Sequence, residues 1–202
     1  LGIGDGLVRD AIAAAFLADG PSLWELPPEE RTEPPAELTA AVERAFQVTN
    51  DYPLVATTAR DEGLAGVAAL DIEVGRPIQS MKAEKTESAA AGIDAVASHS
   101  EILVETKLDG MRLQVHVDGD DVTLYTRRLE DVTAGFPEVE AAVREAVTAT
   151  TAVLDGEAVG FDGETGELVP FQEFSRRIKR EYEVDRLAAE IPATLYLFDA
   201  LH

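Results

Sequence analysis

Cysteine is missing from all 202 residues, which excludes both a disulfide framework and a thiolate metal centre. Histidine is nearly missing as well. His99, His116 and His202 stand far apart in no ligand spacing, so a zinc site is excluded too. No apolar run approaches the roughly 18 residues a membrane-spanning helix needs. The opening stretch LGIGDGLVRDAIAAAFLADG lacks the basic segment of a secretory signal. A soluble, cytoplasmic protein without membrane partners is the expectation. Lysine is scarce, at positions 82, 85, 107 and 179 only. Against 17 basic residues stand 39 acidic ones, a net charge of −22. An acidic, alanine-rich, lysine-poor composition points to a protein adapted to concentrated salt, where self-repulsion is screened. By itself such acidity argues against nucleic-acid partners. Hydrophobic content of 46% is ordinary for a folded core.

The periodicities divide the chain into a helical part and a mixed part. In GLVRDAIAAAFL the apolar residues Val8, Ile12, Ala15 and Phe16 recur at helical spacing, and in PAELTAAVERAFQV Leu38, Val42, Ala45 and Phe46 form one stripe. NDYPLVATTARDEG offers Asp51 as N-cap, Pro53 in the first turn and Gly63 as a stop. The proline-rich PSLWELPPEERTEPP cannot be one helix, and Trp24 within it reads as a packing anchor. A Gly-Arg-Pro break places a boundary near Gly75, followed by a linker and a helix about residues 89–97. Beyond Glu101 strands are expected. LQVHV sets Leu113, Val115 and Val117 against Gln114 and His116, DGDD at 118–121 is a hairpin turn, and VTLYTRR returns. FPEVEAAVREAV reads as a helix, TAVLDGEAVGFD as a strand, FQEFSRRIKREYE as a helix, and ATLYLFDAL as a buried strand. The predicted class is therefore multi-domain, α followed by α+β with antiparallel strands, divided into residues 1–75 and 76–202.

One segment concentrates unusual chemistry. If VETKLDG is a strand, its period of two puts Glu105, Lys107 and Asp109 on one face. A lysine amine with a pKa near 10.4 becomes nucleophilic only when desolvated or set among other cations. Arg112, Arg127 and Arg128 are candidate cations, whereas Glu105 and Asp109 favour the ammonium form. A Mg²⁺ ion held by carboxylates would offset them. Taken alone, the row reads better as a solvated sheet face. Alone, Asp155 and Glu157 also read as surface acids, Phe198 as core, and His116 as a polar-face residue beside Gln114 and Arg112. Arg176, Arg177 and Arg180 read either as phosphate contacts or as partners of Glu173 and Glu181.

KLDGMR at 107–112 fits the K-x-D-G-x-R signature of the covalent nucleotidyltransferases, the group of DNA ligases, RNA ligases and mRNA-capping enzymes. TRRLEDVT at 126–133, LDGEAVGFD at 154–162, FQEFSRR at 171–177 and YLFDAL at 196–201 resemble its later blocks in order. The segments LGIGDGLVRDAIAAAFL and VERAFQVTNDYPLVATTARDEGL resemble the end of the helical DNA-binding domain of archaeal and eukaryotic-type ATP-dependent DNA ligases, and the acidity suits a halophilic archaeon. The resemblance implies part of an all-helical DNA-binding domain followed by part of an adenylation domain on an antiparallel sheet. It further implies ATP and Mg²⁺ as cofactors and nicked duplex DNA as partner; no sliding-clamp contact is legible. Lys107 would attack the α-phosphate of ATP to form lysyl-AMP, with Glu105 binding adenosine. Arg112 and Arg127 would contact ribose or phosphate oxygens, Glu157 would contact ribose or hold Mg²⁺, and Phe198 would stack on adenine. The family's later lysine motifs, second acidic block and OB-fold do not occur in the chain, so the segment alone is expected to bind nucleotide weakly. The alternatives are a non-catalytic DNA-binding relic of the fold and an RNA-directed nucleotidyltransferase.

Overall fold

A computed structural model describes residues 4–19, 27, 33–80, 83–96, 101–178 and 182–202. Trp24, His99, Arg180 and Glu181 lie outside the described residues. The chain begins with helices α1 (Asp5–Ile12, continued as a π-turn over Ala13–Leu17), α2 (Ala36–Thr49) and α3 (Tyr52–Ala69). Their facing stripes bury Ile12, Ala13, Leu38, Val42, Ala45, Val55, Ala59 and Val67 as one core. The Asp51 carboxylate accepts the Leu54 amide at 2.9 Å, the predicted N-cap. Gly63 takes φ +67° and breaks α3 internally rather than ending it. Phe16, expected on the buried stripe, is exposed. The π-turn widens the helical repeat, so Ala13 and Ala14 turn inward in its place.

A short helix α4 (Ala89–Val96) precedes the sheet part. Strands β1 (Met111–Asp118) and β2 (Asp121–Thr126) form the predicted hairpin. Helix α5 (Pro137–Ala146) crosses back, β3 (Thr151–Gly160) pairs with β1, and the short helices α6 (Phe171–Phe174) and α7 (Val184–Glu190) lead to β4 (Ala193–Ala200). The four-stranded sheet has the order β2-β1-β3-β4 and is antiparallel throughout.

The two faces of the sheet have different chemistry. Met111, Leu113, Val115, Val117, Leu124 and Ala158 bury one face against Phe136, Val139 and Val143 around α5. Period two places Arg112, Gln114 and His116 of β1 on the other face, where the register sets them beside Tyr125, Glu157, Asp155 and Thr123. His116 and Gln114 were expected on a solvated face, yet both are buried, His116 with 1% of its surface exposed. Residues 75–78 cross over them, a cover from far back in the chain.

Three further expectations are corrected. The segment before β1, residues 101–109, is irregular and mostly exposed rather than a strand, and among the described residues no strand pairs with it. Of the predicted helix over 171–183, the described residues form α6 and a 3₁₀ turn at Ser175–Arg177, and residues 179–181 lie outside the described residues. Strand β4 was expected to be buried; it is the sheet edge, with Tyr196, Leu197 and Phe198 exposed. Among the described residues no helix is long and apolar enough to cross a membrane.

Candidate nucleotide site

At the end of the sheet where β1 begins, an open cavity of about 1340 Å³ lies on the polar face. Glu105, Lys107, Arg112, Arg127, Glu157 and Phe198 all line it, whereas Asp109, Asp155, Arg176 and Arg177 do not. Each arrives by a separate structural device.

Lys107 lies on the exposed segment just ahead of β1, and its Nζ donates to the Leu108 carbonyl at 3.1 Å. The chain then turns at Gly110. A Cβ there would lie 2.2 Å from the Ala158 carbonyl oxygen, so only glycine permits this approach to β3. The Gly110 amide donates to Glu157 Oε1 at 3.1 Å, tying the lysine segment to the acidic strand. Burial raises the Glu157 pKa, while the positive charge of Lys107, the Gly110 hydrogen bond and Arg112 act in the lowering direction. Glu157 thus sits half-buried on the cavity wall as an acid in a cationic neighbourhood.

Arg112 is the first inward guanidinium of β1. Its Nε donates to both Asp155 oxygens, at 2.9 and 3.0 Å, and its Nη2 donates to Oδ2 as well. Asp155, read as a surface acid, is buried beneath this fork. The carboxylate raises the Arg112 pKa and fixes the guanidinium plane. Nη1 has no partner among the described residues. The Arg112 guanidinium carbon lies 5.8 Å from the centre of the Phe198 ring.

Phe198 owes its position to a β-bulge. Asp155 pairs with Asp199 and Gly156 with Leu197, so Phe198 is the extra residue of β4 with no opposite number. The bulge re-aims its ring, which stays 45% exposed, towards Arg112 and the cavity. Arg127 and Arg128 lie in the turn after β2 rather than on the strand, and neither is paired with a carboxylate among the described residues. Arg127 also lines a second cavity of about 300 Å³ with Gln79, Ser80, Arg128 and Leu129.

Arg177 is removed from the candidate phosphate contacts. It is buried, donates to Glu138 and to the carbonyls of Ile191 and Gly135, and lies 4.5 Å from the Phe136 ring centre. Asp155 and the Phe198 bulge are the features sequence reasoning missed. Pairing of β1 with β3 is the signal for the first, because it places Asp155 one step from Arg112.

Among the described residues there is no cluster of three acidic or imidazole groups able to hold a metal ion. Glu157, with one oxygen taken by the Gly110 amide, fits a Mg²⁺ ion bound through a single carboxylate and completed by substrate phosphates and water.

Comparison with known proteins gives one consistent answer. Residues 80–202 match the family described as the ATP dependent DNA ligase domain. A DNA ligase of Halobacterium salinarum is 46% identical over 202 residues, covering all of this chain and 32% of that protein. A DNA ligase of Haloferax volcanii is 46% identical over 211 residues and is covered to 35%. The chain therefore spans about a third of the length of these relatives. A solved structure of a mycobacterial DNA ligase D complexed with ATP and MES is 33% identical over 48% of this chain and 28% of that one, with a TM-score of 0.34.

Proposed function

Since the chain belongs to the ATP-dependent DNA ligase family, we propose that it is the adenylating part of an enzyme that seals nicks in duplex DNA. The observation that carries this reading is the convergence of Lys107, Glu105, Arg112, Arg127, Glu157 and Phe198 on one cavity. ATP is the nucleotide that the family's name supports.

In the proposed reaction Lys107 Nζ, as the free amine, attacks the α-phosphorus of ATP. A P–N bond forms, the bond to the bridging oxygen breaks and pyrophosphate leaves, and the nitrogen releases one proton to solvent, leaving lysyl-AMP. Phe198 offers its exposed ring to the adenine, and Glu105 at the cavity rim accepts from the adenosine. Arg112, held flat by Asp155, and the unpaired Arg127 stabilise charge on the phosphate oxygens. Glu157 would hold Mg²⁺, which supplies positive charge against the phosphates when bound. AMP then passes to the 5′-phosphate of a nick, and the 3′-hydroxyl displaces it. Residues 1–75 serve as part of a helical DNA-binding unit in this reading, and residues 76–202 as part of the adenylation domain.

The test is incubation of the full-length enzyme with α-labelled ATP and Mg²⁺ in molar KCl. Acid-labile label on the protein is expected, and none in Lys107→Ala. No label in the wild type, or label persisting in the variant, refutes the mechanism; joining of nicked DNA against nicked RNA assigns the substrate.

A further inference from the structure

The polar face of the sheet is shared between two features. The cavity occupies the end of β1 with Arg112, while residues 75–78 cover the end with Gln114 and His116. The strap is held by a connected set of hydrogen bonds. A turn closed by the Arg76 amide on the Glu73 carbonyl puts Gly75 at φ +86°, which suits glycine, and aims its amide at the sheet. The Gly75 amide donates to His116 Nδ1 at 2.9 Å, and its carbonyl accepts from the Tyr125 hydroxyl at 3.1 Å. With Nδ1 accepting, the imidazole is neutral and its proton sits on Nε2, which donates to Gln114 Oε1 at 2.9 Å. The same oxygen accepts the Ile78 amide at 2.8 Å, and Gln114 Nε2 donates back to the Ile78 carbonyl at 3.4 Å. His116 and Gln114 therefore act as a side-chain substitute for a strand partner.

The strap continues in both directions that matter. Gln79 donates to Asn50, the left-handed residue that ends α2, so the helical part is fastened at the same point. Gln79 and Ser80 face the turn that carries Arg127, across the smaller cavity. Ala83 then lines the wall of the large cavity. Residues 81 and 82, between Ser80 and Ala83, lie outside the described residues.

We propose that His116 and Gln114 are positioning residues, which clasp residues 75–78 to the sheet and thereby hold Gln79 and Ser80 against the Arg127 side of the ATP cavity. This rests on the reading of that cavity as the nucleotide site. Neither residue touches the cavity itself; each acts through the strap.

The experiment uses the full-length enzyme in molar KCl with His116→Phe, which deletes both ring hydrogen bonds, and His116→Asn, whose amide oxygen replaces the Nδ1 acceptor. Two quantities are read: hydrogen exchange of the Gly75 and Ile78 amides, and the dissociation constant for ATP by equilibrium dialysis without divalent metal, where no transfer occurs. In His116→Phe the two amides are expected to exchange at least about tenfold faster and ATP to bind about tenfold more weakly. His116→Asn is expected to restore the Gly75 amide and most of the affinity. Unchanged exchange in His116→Phe overturns the clasp. Faster exchange with ATP affinity within twofold of wild type overturns the positioning role. Wild-type protein that binds no ATP overturns the functional reading and the positioning role with it, while the exchange measurement still reports the clasp by itself.

Discussion

Acid should weaken this protein through one histidine, and the size of the effect follows from its surroundings. His116 is buried beneath the strap, and burial alone lowers its pKa from 6.5 to about 4. The hydrogen bonds have the same preference: the Gly75 amide needs an acceptor at Nδ1, and a protonated ring has none. The folded protein thus holds neutral imidazole while the unfolded chain protonates near 6.5. Between those two values the unfolded state binds more protons, so stability rises with pH. The contribution is complete above about 6.5, falls as pH drops, and is exhausted near 4. A gap of about 2.5 units corresponds to about 3 kcal/mol, with a steepest slope of about 1.4 kcal/mol per pH unit. The measurement is urea unfolding in molar KCl, followed by circular dichroism at several pH values, for wild type and His116→Asn. Subtracting the variant removes the titration of the many carboxylates common to both. The wild-type excess should shrink by about 3 kcal/mol from pH 7 to pH 4. A difference that stays flat within about 0.5 kcal/mol refutes the claim that the buried ring is held neutral.

Other expectations concern the frame and the site. Arg177→Met should cost about 3 kcal/mol, because it leaves the Gly135 and Ile191 carbonyls without their guanidinium donor and the Glu138 carboxylate with only the Ala193 amide; denaturant midpoints of the two proteins give the number. Gly110→Ala should cost about 1–3 kcal/mol and abolish lysine labelling, since a Cβ cannot stand 2.2 Å from the Ala158 oxygen. Glu157→Gln should abolish labelling without lowering thermal stability: its carboxylate ionises against a burial penalty, and the amide oxygen still accepts the Gly110 amide. Ligation by the full enzyme should require concentrated salt, and an activity maximum in dilute buffer contradicts that.

What could be read from the sequence was what neighbouring residues decide. Alternation along β1 identified Leu113, Val115 and Val117 as core, and Asp51 was recognisable as a cap because its partner is three residues away. The failures share a cause. His116 has the surroundings of a polar strand face in sequence, yet its cover comes from 41 positions earlier. Arg177 sits among charged neighbours, yet its partner Glu138 is 39 residues back. Phe198 was identified through family resemblance; the bulge that aims it depends on pairing of β3 with β4, which no local pattern encodes. Burial of a polar residue is a property of what arrives to satisfy it, and that is a long-range fact.

The charge imbalance gains a specific meaning from how the cations are used. Arg9, Arg44, Arg60, Arg76, Arg112, Arg144, Arg177 and Arg186 each form an ion pair within the chain. Among the described arginines only Arg127, Arg128 and Arg176 do not. In a chain with 39 carboxylates, an unpaired guanidinium is the exception. Arg127 and Arg128 line both cavities, whereas Arg176 lines neither. At molar salt the screening length falls to about 3 Å, so the distant acidic surface exerts little force on an approaching phosphate. Attraction then depends on direct contact with donors that no internal carboxylate has claimed. Among the described residues two unpaired guanidiniums, Arg127 and Arg128, line the cavity that holds Lys107, so a net charge of −22 is compatible with the proposed polyanionic substrate.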